Sequence, residues 1–97
     1  MTSKQRAYLR GLANTMEPIL HAGKGGISDA MIKQADDALE ARELIKGKVL
    51  ETAPATAREV AEEIAAKVNA EVVQVIGRTF VLYRRNAKDP VIDLPRA

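Results

Sequence analysis

Apolar residues in this 97-residue chain recur alternately at helical and at extended spacing, and that alternation leaves few folds open. Leu9, Leu12, Ala13 and Met16 fall three and four apart. So do Met31, Ala35, Ala38 and Leu39, and then Val60, Ala61, Ile64, Ala65 and Val68. Each run opens on a helix-start signal. Thr2 with Gln5, and Thr56 with Glu59, have the capping-box spacing, in which each side chain satisfies a free backbone amide of the first turn. Ser28 precedes the second run as its N-cap, with Asp29 in the first turn where the helix dipole favours negative charge. The predicted helices run from Thr2 to about Asn14, from Ser28 to about Glu43 and from Thr56 to about Val68.

Between them lie β-rich segments: Pro18 to Ala22, Leu44 to Glu51, Glu71 to Ile76 and Thr79 to Arg84. Gly77-Arg78 separates the last two, and glycine first in a two-residue loop predicts a type II′ hairpin. That hairpin sets Val75 opposite Phe80, Val73 opposite Leu82, Gln74 opposite Val81 and Val72 opposite Tyr83. Both of its faces are apolar, so helices or a partner should cover part of each. In the second strand Lys46 and Lys48 point the same way, and Gly47, lacking a side chain to pack, should weaken it. The order α-β-α-β-α-β-β predicts one domain, a compact mixed α/β sandwich on a four-stranded mixed sheet. Strands separated by helices should run parallel, with one antiparallel pair from the hairpin. The tail from Lys88 to Ala97, with two prolines, should lie along the surface.

Composition removes several functions. Without cysteine there is neither a disulfide nor a thiolate metal site. No apolar stretch approaches the roughly 20 residues that span a bilayer, and the N-terminus has no signal-peptide pattern. The expectation is a soluble, cytoplasmic monomer without membrane contact, metal or cofactor. The net charge of +2 is unevenly spread. Residues 1–27 and 75–97 each carry a net +3, whereas 28–74, with six basic and ten acidic residues, carry −4. Such a chain can turn one side to a polyanion and the other to solvent.

Three of the six glycines fall in Gly23-Lys24-Gly25-Gly26, between a strand and a helix start. That placement leaves backbone amides free at the positive end of a helix dipole. Glycine lets a sugar–phosphate backbone approach closely, and Lys24 adds a cation. A G-x-x-G loop of this kind clamps nucleotides in KH domains. Neither nucleotide-triphosphate spacing nor a dinucleotide fingerprint is present. Lys4, Arg6 and Arg10 on the first helix, Lys46, Arg78 at the hairpin tip, and Arg84 and Arg85 at the end of the last strand form the candidate basic surface. His21 is the single histidine, too little for a metal cluster or an oriented general base, and Ser28 is better explained as a helix cap than as a nucleophile. Tyr8, Tyr83 and Phe80 are too few for a stacking platform, which favours recognition of backbone and shape over base sequence.

Four pieces in order, at these spacings, resemble the CRM domain family (chloroplast RNA splicing and ribosome maturation), in particular its stand-alone bacterial YhbY-type members. They are Lys4-Gln5-Arg6 with Leu9-Arg10-Gly11-Leu12-Ala13; Pro18 with the glycine loop; Ala38-Leu39 with Glu43-Leu44-Ile45-Lys46; and Gln74-Val75-Ile76-Gly77-Arg78 with Val81-Leu82-Tyr83-Arg84. The resemblance implies a fold similar to the C-terminal domain of bacterial translation initiation factor three, and a G-x-x-G loop that contacts RNA beside a basic surface. It further implies a non-catalytic assembly factor on ribosomal RNA of large-subunit precursors, among ribosomal proteins, rather than the intron splicing served by plant members. Gly25 departs from a single pair of glycines and loosens the expected loop. The competing expectations are a protein-interaction module on ribosomal particles, docking through the two-faced hairpin sheet or the acidic second helix at Asp36 and Asp37 with incidental RNA contact, and a small enzyme using His21.

Overall fold

The computed structural model describes residues 1–96, so Ala97, the end of the expected surface tail, lies outside the described residues. Its elements are α1 (Ser3–Ala13), β1 (Leu20–Ala22), α2 (Asp29–Arg42), β2 (Leu44–Val49), α3 (Ala57–Val68), β3 (Glu71–Ile76) and β4 (Thr79–Tyr83). Both capping boxes form. Thr2 Oγ1 accepts from the Gln5 amide at 3.1 Å while Gln5 Oε1 accepts from the Thr2 amide at 3.0 Å, and Thr56 and Glu59 repeat the exchange. Ser28 caps α2 through the Met31 amide. α3 stops at Asn69 in the left-handed region, a conformation asparagine tolerates better than most residues.

The sheet order is β1-β2-β4-β3, with β1 and β2 parallel and β4 antiparallel to both its neighbours. There are therefore two antiparallel pairs, not the single one expected. β2 and β3 do run the same way, but β4 lies between them. Phe80 to Tyr83 are buried without interruption, and a strand apolar on both faces belongs in the middle of a covered sheet. β3, carrying Glu71 and Gln74, takes the edge.

The hairpin turns at Gly77 with φ +56° and pairs Val75 with Phe80 and Gln74 with Val81, as expected. Beyond that the register shifts, so Val72 pairs with Leu82 and Glu71 with Tyr83. Val73 is the extra residue of a β-bulge, which turns it to the α1 face instead of setting it opposite Leu82. Arg6 secures the bulge: its Nη1 donates to the carbonyls of Val72 at 2.6 Å and Val73 at 2.9 Å.

α2 and α3 cover one face over a core of Leu20, Leu39, Ile45, Ile64, Phe80 and Leu82. α1 covers part of the other, burying Leu9 and Ala13 against Leu44, Val73, Val81 and Tyr83. With no second helix beside it among the described residues, α1 buries only a narrow ridge. Leu12, expected on the buried stripe, stays 38% exposed. Gly47 also departs from expectation. It pairs directly with Phe80, and any Cβ at Gly47 would overlap the ring. The missing side chain is what lets Phe80 enter the core, so glycine here serves the packing of β2.

The tail is fastened rather than loosely laid. Glu43, fully buried at the end of α2, accepts from the Val91 and Ile92 amides through Oε1 and from the Asn86 amide through Oε2, at 2.6–2.7 Å. Ile92 and Leu94 pack against the α1-side core, and Gln5 Nε2 donates to the Pro95 carbonyl.

Candidate nucleic-acid interface

Ala22 lies beside Val49 in the parallel β1–β2 pair, so the turn leaving β1 sits at the same end of the sheet as Lys48, Thr79 and the hairpin turn. The Gly26 amide donates to the Gly23 carbonyl at 2.9 Å and closes the turn. Gly26 has φ +70°, which glycine adopts without strain. Gly23 packs beneath the Leu50 side chain, and Ile27 reaches the core just ahead of the Ser28 cap. The turn is therefore held at both ends. Lys24 and Gly25 form its exposed tip, and among the described residues their amides take no backbone partner. A Cβ on Gly25 would meet open space, so the fold does not itself demand glycine there. Asp29 occupies the first turn of α2 and places a negative charge at the helix end that follows the turn.

α1 leaves the loop end of its sheet face bare. Register places His21, Lys48, Thr79 and Ile76 in one row across all four strands. His21 and Lys48 are exposed and Ile76 is 63% exposed. Gln5 binds the tail on one flank of α1, whereas Arg6 reaches β3 from the other. Arg10, one turn beyond Arg6, shares Arg6's flank and borders the bare half. Lys46 points to the same face, but its Nζ donates to the Ala13 carbonyl at the end of α1.

The expected basic surface is thus divided. Lys24, Lys48 and Arg78 share one end of the sheet with His21, with Arg10 alongside. Among the described residues Lys4, Arg10, Lys24 and Lys48 pair with no carboxylate. Lys4 is exposed on α1, and Arg78 pairs with Glu51 at 3.3 Å. Arg84 and Arg85 follow β4 at the opposite end. Arg85 is exposed, but Arg84, 18% exposed, donates to Asp36 Oδ1 at 2.6 Å, to Glu40, and to the carbonyls of Asp36 and Val68. Its charge is enclosed by α2 and α3, so Arg84 does not converge with the loop. Arg6 is likewise committed to the bulge carbonyls.

Two residues escaped the sequence reading. Lys48 was recognisable as sharing a face with Lys46, but nothing local showed that this face stays open at the loop end. Glu43 stood in a motif piece, but nothing local showed its buried role, because the amides it binds lie more than 40 positions away. Burial alone would raise the pKa of its carboxyl; the amides of Asn86, Ile92 and Val91, helped by the nearby Arg85 charge, outweigh that and hold it below the ordinary value of 4.5. Among the described residues no three His, Cys, Asp or Glu side chains are grouped to hold a metal, and no helix is long and apolar enough to cross a membrane.

The CRS1 / YhbY (CRM) domain model matches residues 1–84, from the N-terminus through the end of β4. The chain belongs to this family. Similar proteins include the probable RNA-binding protein YqeI of Bacillus subtilis, 44% identical over 98% of this chain and 99% of the relative. A Haemophilus influenzae RNA-binding protein is 33% identical over 99% and 96% of the two chains. The solution structure of Staphylococcus aureus SAV1595 matches this CRM domain with a TM-score of 0.80 at 47% identity, covering 98% of this chain and 99% of that one. These relatives are named for RNA binding and not for any enzymatic activity. The family assignment agrees with the four motif pieces, and the matched fold agrees with the predicted α-β-α-β-α-β-β order.

Proposed function

We propose that this CRM domain is a non-catalytic RNA-binding protein, acting in the cytoplasm as a monomeric assembly factor on ribosomal RNA of large-subunit precursors. The observation that carries the RNA reading is the placement of the exposed Lys24-Gly25 tip at the same end of the sheet as Arg78 and the bare His21–Lys48 row. The tip amides of the Gly23–Gly26 turn and Lys24 hold a phosphate, while Lys48 and Arg10 follow the backbone on either side, with Arg78, Lys4, Lys46 and Arg85 adding long-range attraction. The names of the relatives support RNA as the ligand, and the ribosomal assignment rests on the resemblance to stand-alone YhbY-type members. The acidic-helix docking alternative is weakened because Asp36 is already engaged by Arg84.

The test is equilibrium binding to transcribed large-subunit precursor fragments across a salt series. Wild-type affinity falls steeply with salt, and Lys24→Ala weakens binding about 3–10-fold with unchanged thermal stability. Affinity indifferent to salt refutes phosphate capture. Equal affinity for ribosomal and unrelated structured RNA refutes the ribosomal assignment.

A further inference from the structure

A cleft of about 290 Å3 opens beside the glycine turn, between the segment following β2 and the hairpin turn. Val49, Leu50, Ala53 and Ala55 give it an apolar lining, and Arg78 and Glu51 stand among its polar groups. Leu50 is 42% exposed, and its Cδ1 lies 3.4 Å from where a Cβ on Gly23 would stand, so cleft and turn share a wall. The volume is at the lower bound of ligand pockets, roughly 300 Å3, which suits one planar ring rather than a stretch of polymer. The Arg78–Glu51 pair spans 3.3 Å with side chains 52% and 83% exposed, and pairs so solvated separate readily.

We propose that this cleft receives one unpaired nucleobase from the RNA whose backbone the turn holds, an inference that rests on the RNA reading above. The base lies on the apolar lining, the planar Arg78 guanidinium stacks on it, and the Glu51 carboxylate accepts from an N–H on its Watson–Crick edge. Every base offers at least one donor on that edge, and pairing consumes it. The acceptor therefore selects unpaired over paired nucleotides without selecting one base. The fitting ligand is a bulge, loop or frayed end beside a backbone, not an uninterrupted duplex.

The test compares a fully paired RNA hairpin with the same hairpin carrying one bulged 2-aminopurine nucleotide, at low salt, with the full chain. Wild type favours the bulged RNA roughly tenfold, and the fluorescence of the bulged base changes on binding. In Leu50→Ala and Glu51→Ala, both at exposed positions, the ratio of the two affinities falls to about threefold or less and the fluorescence change shrinks. Lys24→Ala weakens both RNAs while the ratio persists. Equal wild-type affinities with unchanged fluorescence overturn the cleft and leave phosphate capture standing. Failure to bind either RNA overturns the RNA reading itself.

Discussion

Single residues in this protein act through what surrounds them. Gly47 is the clearest case, because the Phe80 ring fills the space a side chain would need. Gly47→Ala overpacks the core and is expected to destabilise the protein by about 1–3 kcal/mol, seen as a lowered denaturation midpoint. The loss should shrink in a double variant with Phe80→Leu, and an unaffected single variant would show that the ring relocates freely. Glu43 illustrates the opposite chemistry, a buried charge made tolerable by three backbone amides. Its folded pKa is lowered, so its contribution is fully present above the unfolded value of 4.5 and is lost as pH falls through the folded pKa below that. Limited proteolysis should therefore cut within residues 86–96 more readily as pH drops below about 4.5, and Glu43→Gln should show the same sensitivity already at neutral pH. A tail equally protected at pH 3 and pH 7 would contradict that role.

At the scale of elements, the basic residues separate into two kinds. Arg84 ties the end of β4 to α2 and α3, and Arg6 ties α1 to the bulge of β3. Arg84→Ala leaves Asp36, Glu40 and the Val68 carbonyl without their shared donor and is expected to cost about 2–3 kcal/mol of stability. RNA affinity of the folded variant should change less than about twofold, since the proposed site lies at the other end of the sheet. Lys24→Ala should behave inversely, with stability within about 0.5 kcal/mol of wild type and weakened RNA binding. Parallel calorimetry and binding on the two variants check the division. Loss of affinity in Arg84→Ala matching that in Lys24→Ala would place the interface across both ends.

At the scale of the whole molecule, charge and topology agree on an orientation. Lys24, Lys48, Arg78 and Arg10 collect toward the loop end and the bare half of the α1 face, whereas the carboxylates of α2 take up Arg84 at the far end. If about four phosphates are contacted, log affinity should fall with log salt at a slope near −3, or roughly 50-fold between 50 and 200 mM. A slope near −1 would restrict the contact to the turn alone.

Capping boxes, apolar periods and the Gly77 turn were enough to define the three helices and four strands of the described residues, and the place of the glycine turn between a strand and a helix. These are governed by interactions over a few residues, which sequence displays directly. The central position of β4, the bulge at Val73 and the Gly47–Phe80 fit depend on pairs tens of residues apart, where one added residue reverses which face a side chain takes. The same holds for the candidate site. The sequence marked Lys24, Arg78 and Arg84 alike as basic residues beside motifs. Only the tertiary structure separated them, because parallel pairing of β1 with β2 carries the turn to one end of the sheet and the Arg84 guanidinium finds its carboxylates at the other.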